Sequence, residues 1–347
     1  MASDSGVLIL DSIGLPTTAL ITEGSPAPVS LGVDVTLGQF APRLCYVNSN
    51  HYYSAALTGS GVSTGNNAVV LGRTAAGVQS VVARKGDTAV DPFGVATAGI
   101  TYSSFIGEAS NSLETALYRA TVTGAPGAGV TIANNEGIWA YDPAFAIRRL
   151  MVQKGSIVAE LFINKIARII SFWGTANLAS VEQAIVLVQL SGSGINASND
   201  QVLLLVQSDN DSVRILVREG DPAQGCPGAK IGVISRVESD PISHGYAVLA
   251  TLTGAAPGTD QALFVGNVSR GDTSHGFALR RPYLRLRKGQ LFDNQPSKIK
   301  SISLPTTNMA ASGAGSMGRG RAISGSTIVF TVEFDNGVRQ IMQGSAR

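Results

Sequence analysis

The stretch Ala250-Thr251-Leu252-Thr253-Gly254 decides the fold, because it recurs along the chain. Three related stretches end in Gly59, Gly124 and Gly192, so consecutive glycines are 62 to 68 residues apart. A second landmark, a charged residue followed by glycine, recurs at intervals of 62 to 69 residues; its glycines are Gly24, Gly86, Gly155, Gly220 and Gly289. Two landmarks that recur in step indicate that one structural unit is repeated along the chain.

Each repeat contains four segments typical of β-strands, which we name strands A to D in chain order. Alternating polar and apolar positions and β-branched residues mark the strands, and Gly, Asn, Asp and Ser clusters separate them. In the second repeat, strand A is predicted over Thr101–Ile106 and strand D over Ile147–Lys154. Asparagines recur at the B–C connections, where they are expected to accept left-handed backbone conformations; they are Asn66-Asn67, Asn134-Asn135 and Asn199-Asp200. No segment has a sustained 3.6-residue period, so we expect almost no helix.

The two ends of the chain resemble parts of one further repeat. Residues 297–347 offer strands A, B and C, interrupted by a Gly/Ser-rich insertion at 309–326 that we predict to be flexible, whereas residues 5–24 align with strands C and D. A shared unit would close a ring and remove the exposed sheet edges. We therefore predict one all-β domain over residues 1–347, a five-bladed β-propeller of four-stranded antiparallel blades whose terminal strands share the last blade. The approximate blades are 39–87, 101–155, 161–220, 229–289, and 297–347 with 5–24.

A linear β-solenoid is the alternative architecture. It would need capping end units of unusual composition. The two ends of this chain instead look complementary, which favours the ring.

Short motifs in the repeat resemble the tandem-repeat family named for its NxxGxxAF signature. The matching stretches are Glu219-Gly220-Asp221-Pro222, Lys85-Gly86-Asp87, Glu23-Gly24-Ser25-Pro26 and Asn134-Asn135-Glu136-Gly137-Ile138-Trp139. Of the name-giving motif, the stretch from Asn111 to Tyr118 keeps only the asparagine and an aromatic end. The resemblance implies a similarity to surface or secreted repeat proteins and carries over no catalytic residues.

The composition restricts the classes of partner and the compartment. Charged residues are 14% of the chain, against roughly 25% in average globular proteins, and lysine occurs only seven times. The net charge of +2 provides no long-range attraction to nucleic acid or anionic lipid. No window approaches 18 apolar residues, and the start of the chain lacks the basic region of a secretory signal. We expect two unpaired thiols at Cys45 and Cys226, an extracellular or particle-associated location, and no membrane span.

The residues needed for catalysis or metal binding are sparse. The three histidines, His51, His244 and His275, lack the spacing of metal ligands, and we interpret the first two as turn residues facing water. A glycosidase needs two carboxylates across a pocket. We expect none on strand A of the first three repeats, and in the fourth only Glu238 and Asp240 at its end. Gly313–Gly318 matches GxGxxG, but no helix follows it, so it does not indicate a dinucleotide site. We predict no enzyme activity, no cofactor and no metal.

Basic residues concentrate at the junction of the fourth and fifth repeats. We predict binding candidates at Arg280, Arg281, Arg285, Arg287, Lys288, Arg319 and Arg321. Arg285 and Arg287 alternate with leucines, so we expect them to share one face of strand D. Such arginines could bind an anionic partner, either an acidic protein surface, a phosphate, or a sulfated or acidic glycan. A solvated outer strand is the alternative.

The expected function is therefore a non-enzymatic interaction scaffold that is a component of a virion, appendage or other extracellular particle. We expect its partner to be a protein or a surface glycan and not a nucleic acid. The first alternative is a multivalent carbohydrate-binding lectin with one site per repeat, and the second is a glycan-active hydrolase. Tyr53, Tyr118 and Tyr246 lie early in strand B, with Ile185 in the third repeat. We interpret these tyrosines as packing residues and not as platforms for sugars.

Overall fold

The computed structural model defines an all-β chain of antiparallel sheets. It describes residues 6–8, 19–47, 50–74, 76–111, 114–158, 161, 164–176, 181–208, 213–268, 282–292, 296–304, 322–325 and 327–345. Among these residues the only regular helix is one 3-10 turn at Val29–Leu31, which confirms the expected scarcity of helix.

The strands follow the predicted A-to-D order. An N-terminal hairpin pairs β1 (Gly6–Leu8) with β2 (Ala19–Thr22). The first large sheet contains β3 (Val35–Val47), β4 (Asn50–Gly59), β5 (Ala68–Arg73) and β6 (Gln79–Arg84). The second contains β7 (Thr88–Val90), β8 (Ala96–Ser110), β9 (Ala116–Gly124), β10 (Glu136–Asp142) and β11 (Ile147–Gln153), with β7 as an added edge strand.

The remaining three sheets continue the pattern. The third contains β12 (Lys165–Gly174), β13 (Gln183–Ser191), β14 (Gln201–Gln207) and β15 (Val213–Arg218). The fourth contains β16 (Lys230–Ser239), β17 (Gly245–Thr253), β18 (Gln261–Asn267) and β19 (Tyr283–Arg287). The fifth contains β20 (Ile299–Ser303), β21 (Ile323–Ser324), β22 (Thr327–Phe334) and β23 (Arg339–Ser345). Here β20 and β21 both pair with β22 and together occupy the place of strand A, so strands A, B and C are present as predicted.

Each sheet packs on the next through a hydrophobic core, because strand B has apolar residues on both faces. In β13, Ala184 and Val186 pack in the core shared with the second sheet, whereas Ile185 and Leu187 pack in the core shared with the fourth. Fully burying one such aliphatic side chain contributes about 1.5–3 kcal/mol. Both faces of a central sheet are therefore committed to its neighbours, which fixes the register of its strands.

A β-bulge recurs in every C–D pair. The extra residues, read from the pairing registers, are Leu20, Val82, Met151, Leu216 and Arg285. Val82, Met151 and Leu216 are buried and face the following sheet, together with the residue after them. The hairpin of β1 and β2 thus has the C–D geometry that the alignment of residues 5–24 predicted.

The turn after each strand D makes one repeated contact. The amide of Gly24 donates to the carbonyl of Leu37 at 2.7 Å, and the amides of Gly86, Gly155, Gly220 and Gly289 donate to the next strand A at 2.7–2.8 Å. These glycines have φ of 81–88°, a region that side chains disfavour. The second landmark of the sequence is therefore the joint between successive sheets.

The predicted ring closure is not observed in the described part of the chain. There β1 and β2 pair only with each other, and no ladder joins them to β23. Strand β22 buries one face only: Phe330 and Val332 are inside, whereas the alternate residues Val329, Thr331 and Glu333 are partly exposed. On β23, Ile341 is 80% exposed. The fifth sheet therefore presents one largely polar outward face.

Two smaller predictions concern the insertion and the turns. Residues 305–321 of the chain lie outside the described part, but Ile323 and Ser324, inside the predicted insertion 309–326, form β21. The turn asparagines do not adopt left-handed conformations, because Asp34, Glu114 and Ala146 are the non-glycine residues with positive φ in the described ranges. In Asn134 the side chain instead closes the turn, accepting from the Thr131 amide at 2.6 Å and donating to the Gly129 carbonyl at 3.0 Å.

Candidate functional site

A side-chain contact beside the turn that follows strand D recurs in three of the four complete sheets. The residue two positions before the turn glycine donates to a carbonyl of the B–C turn: Arg84 Nε to Asn66 at 3.1 Å, Gln153 Nε2 to Asn134 at 2.5 Å, and Arg287 Nε to Thr259 at 3.0 Å. In these three sheets the side chain thus bonds strand D to the B–C turn.

The lysine that follows makes a second contact to the same turn. Lys85 Nζ donates to Asn67 Oδ1 at 3.4 Å, Lys154 Nζ donates to the Ile132 carbonyl, and Lys288 Nζ pairs with Asp260 Oδ1 at 2.7 Å. The B–C turn is thereby attached to strand D by two side chains.

The third sheet departs from this rule at both positions. Its turn has the same geometry, because Asn199 donates to the Gly194 carbonyl at 3.0 Å as its counterparts do. However, Arg218 Nε is a buried atom that has no hydrogen-bond partner. Glu219 replaces the lysine and accepts from the Gln201 amide at 3.2 Å. Burial of Glu219 raises the pKa of its carboxyl above the ordinary value, and the nearby charge of Asp200 adds to this effect.

A polar cavity of about 400 Å³ lies at this departure, between the third and fourth sheets. We call it the junction pocket; its lining residues are 198–199, 218–221, Lys230 and Thr253. Arg218 and Lys230 supply positive charge, and Glu219 and Asp221 supply carboxylates. The lining contains no aromatic or aliphatic side chain larger than the Thr253 methyl group. The junction pocket therefore suits a hydrophilic molecule with both donor and acceptor groups.

The basic junction predicted from the sequence is only partly described. Arg280, Arg281, Arg319 and Arg321 lie outside the described residues. Arg287 and Lys288 make the repeated contacts with the Thr259 turn, whereas Arg285 is exposed and its guanidinium lies beside Gly344 of β23. The predicted shared face of Arg285 and Arg287 is wrong, because Arg285 is the bulge residue and its neighbours Leu284 and Leu286 pack in different cores. Anion binding by these residues stays a prediction.

Buried carboxylates line the ends of strands A, where the sequence analysis expected almost none. Strand β8 extends to Ser110 and not to Ile106, so it carries Glu108, which is 2% exposed. The prediction that strand A of the first three repeats lacks acids is therefore wrong for the second repeat. Glu108 accepts a hydrogen bond from Ser54 of the first sheet. Asp240, at the end of the fourth strand A, accepts from the Gly325 amide of the fifth sheet.

His51, the three strand-B tyrosines and both cysteines are buried in the interior of the protein. His51 is not a water-facing turn residue as predicted: it lies in β4, is 6% exposed, and burial lowers its pKa. The tyrosines at positions 53, 118 and 246 are fully buried, which confirms that they are packing residues. Tyr118 and Tyr246 pack against the preceding sheet, whereas Ile185 packs against the following one. Cys45 and Cys226 are buried in different cores and are not joined by a disulfide.

Within the described ranges, no cluster of three or more His, Cys, Asp and Glu could hold a metal ion. Among the described residues, no helix has the length and apolar character needed to cross a membrane.

These features define a repeat protein of consecutively packed antiparallel sheets with one irregular, polar junction. The chain belongs to DUF7453, a family of unknown function, whose profile matches residues 2–271. No curated protein matches the chain. Among solved structures it is similar to a family GH43 β-1,3-galactosidase in complex with galactodeoxynojirimycin, at 10% identity over 98% of both chains, with a TM-score of 0.29.

Proposed function

We propose that this chain is a non-enzymatic structural scaffold, a component of a virion, appendage or other extracellular particle, where it mediates assembly or attachment. The observation that carries the proposal is that buried carboxylates tie consecutive sheets together. Glu108 links the second sheet to the first, Glu182 accepts from Arg149 of the second sheet at 3.2 Å, and Asp240 links the fourth sheet to the fifth. A glycosidase would instead direct two carboxylates into an open pocket.

The scaffold role of Glu108 predicts a stability defect. Glu108→Ala leaves the Ser54 hydroxyl without its acceptor inside the protein, which costs about 1–3 kcal/mol. The matched control is Glu333→Ala, whose carboxylate on the fifth sheet is partly exposed and pairs with the exposed cations Lys300 and Arg339. Thermal unfolding should show a clear loss for the first variant and little change for the second.

A substrate screen separates the scaffold from a hydrolase. We expect no turnover of aryl glycosides or oligosaccharides by the purified chain. Turnover that disappears in Glu108→Gln or Glu182→Gln, while the variant keeps its fold, would overturn the non-enzymatic proposal.

The assembly role concerns the outward face of the fifth sheet. Strand β23 has its second edge free of any ladder in the described residues, and Ile341 is 80% exposed beside Arg339 and Gln343. Where the N-terminal hairpin does not close the ring on it, an exposed edge of this kind is a template for strand addition by a second copy. Light scattering on the full chain should detect self-association, and Ile341→Lys should reduce it; a monomer at every concentration tested argues against assembly through this sheet.

The closed five-bladed propeller stays a prediction. It is supported by complementary ends: β1 and β2 have C–D geometry, and the fifth sheet consists of strands A, B and C. A compact ring of 347 residues should have a radius of gyration of about 20 Å in small-angle scattering. A substantially larger value for the monomer would favour an open stack of sheets with the fifth sheet as its polar cap.

A further inference from the structure

The junction pocket can be compared with the equivalent positions of the other sheets in the same chain. In the first, second and fourth sheets, the side chain equivalent to Arg218 donates a hydrogen bond to a carbonyl of the B–C turn. The lysine that follows it contacts the same turn. The third sheet keeps the turn but leaves Arg218 Nε unsatisfied and replaces the lysine with Glu219. A buried unpaired donor is costly to the fold, so it needs an explanation such as a ligand that satisfies it.

The charges of the junction pocket select the ligand. Arg218 lines the cavity, and a guanidinium binds a carboxylate in a bidentate fashion through two of its N–H groups. Glu219 and Asp221 line the same cavity, so a phosphate or sulfate dianion would be repelled more than a monoanion. Hydroxyl groups, by contrast, can donate to those carboxylates and accept from Ser198, Asn199 or Thr253.

The size and polarity of the cavity narrow the class further. A volume of about 400 Å³ admits a molecule of one or two sugar rings. A fully apolar ligand would leave the groups of the lining without partners, because every side chain of the lining carries a polar or charged group. We propose that the junction pocket binds a sugar acid, a small polyhydroxylated molecule with one carboxylate, whose carboxylate pairs with Arg218 and whose hydroxyls bond to Glu219 and Asp221.

This site is single and not repeated. The equivalent positions of the other complete sheets are filled by their own side chains. The stoichiometry should therefore be one molecule per chain, in contrast to the multivalent lectin predicted from the repeat. Binding here is independent of the carboxylate ties between sheets, so the two proposals can fail separately.

Titration calorimetry of the full chain at neutral pH tests the proposal, with D-glucuronate as the probe and D-glucose as its neutral match. We expect saturable binding of one glucuronate per chain, at least about tenfold tighter than glucose, because a charge-assisted pair is added. Equal affinity for the two sugars, or binding of free amino acids without binding of glucuronate, would overturn the proposal.

Substitutions at equivalent positions of two sheets locate the site. Arg218→Gln should weaken glucuronate binding about 10- to 100-fold. Glutamine stands at the equivalent position as Gln153, so the substitution is compatible with the fold. Arg84→Gln is the matched control and should leave the affinity unchanged, since Arg84 is bonded to the Asn66 carbonyl. Lys230→Gln, on an exposed residue, should weaken binding by a few fold; unchanged affinity in both the Arg218 and Lys230 variants would contradict the assignment.

Discussion

The central packing of the sheets can be tested at Gly174, the last residue of β12. Its carbonyl accepts a hydrogen bond from Ser239 of the fourth sheet at 3.0 Å, and its Cα faces the backbone of Ser110 in the second sheet. One residue of the third sheet thus contacts both neighbours. Because Gly174 does not have a left-handed φ, alanine there meets a steric obstacle and not a backbone penalty.

The loss of stability expected for Gly174→Ala follows from the geometry of this contact. A Cβ at position 174 would lie 1.7 Å from the Ser110 carbonyl oxygen, whereas real Cβ atoms do not approach closer than 3.0 Å. The strands must therefore separate by about 1.3 Å, and the obstacle is backbone that cannot rotate away. Overpacking of this kind costs about 3 kcal/mol. With about 2.1 cal/mol/K of unfolding entropy per residue, that loss lowers the Tm of a 347-residue chain by about 4 °C.

Thermal unfolding followed by circular dichroism measures the effect of Gly174→Ala. Gly65→Ala is the control, because Gly65 is exposed, has no positive φ, and its nearest neighbour is the Ser63 hydroxyl at 3.5 Å. Replacing glycine at such a position raises stability by about 0.4–1 kcal/mol. The two variants should therefore shift the Tm in opposite directions. An unchanged Tm for Gly174→Ala would refute the close approach of the second and third sheets.

Three further tests probe the repeat. Glu219→Gln should stabilise the chain at pH 7, because the raised pKa of Glu219 means that its ionised carboxyl is less stable in the folded state than in the unfolded state. The gain in the free energy of unfolding should vanish below about pH 4, where the carboxyl is protonated in both states. An equal gain at both pH values in urea unfolding would contradict this explanation. Leu216→Arg should cost more than about 3 kcal/mol in the same assay, whereas Arg285→Leu at the equivalent exposed bulge should change stability by less than about 0.5 kcal/mol. Asn134→Ala removes three hydrogen bonds of the B–C turn and should lower the free energy of unfolding by about 1–2 kcal/mol; no change would exclude that structural role.

The landmarks of the fold were predictable because they are backbone requirements. Gly86 and its counterparts need positive φ and donate to the next strand A, so glycine recurs at a fixed interval. The positions of the bulges were not predictable in the same way. In the sequence, residues 284–287 alternate between leucine and arginine, which predicts both arginines on one face of the strand. The bulge at Arg285 adds one residue, so Arg285 and Arg287 lie on opposite faces.

Bulges also explain why Glu108 was missed. Register shifts in β8 fall between Tyr102 and Ser104 and again between Phe105 and Gly107. Each shift interrupts the period-2 pattern that marks a strand, so the strand was predicted to end at Ile106. The junction pocket left a visible signal, since Glu219 stands where the first, second and fourth sheets have lysine. Its meaning depends on the Arg218 geometry, which no spacing of residues in the sequence encodes.

Departures from the repeat have two distinct physical origins in this chain. At the bulge, the first three sheets place an apolar residue against a following sheet of four or more strands. The fourth places Arg285 against a fifth sheet whose last strand in the described residues is β23. Gly344 leaves room for the guanidinium there, and solvent supplies the remaining hydration, so a charge at that position follows from the incomplete neighbour. Arg218 lies instead between two complete sheets, where packing alone would favour the contact made by Arg84. The absence of a further strand beyond β23 in the described residues therefore accounts for the charge at Arg285, whereas Arg218 is the position at which we propose a bound molecule.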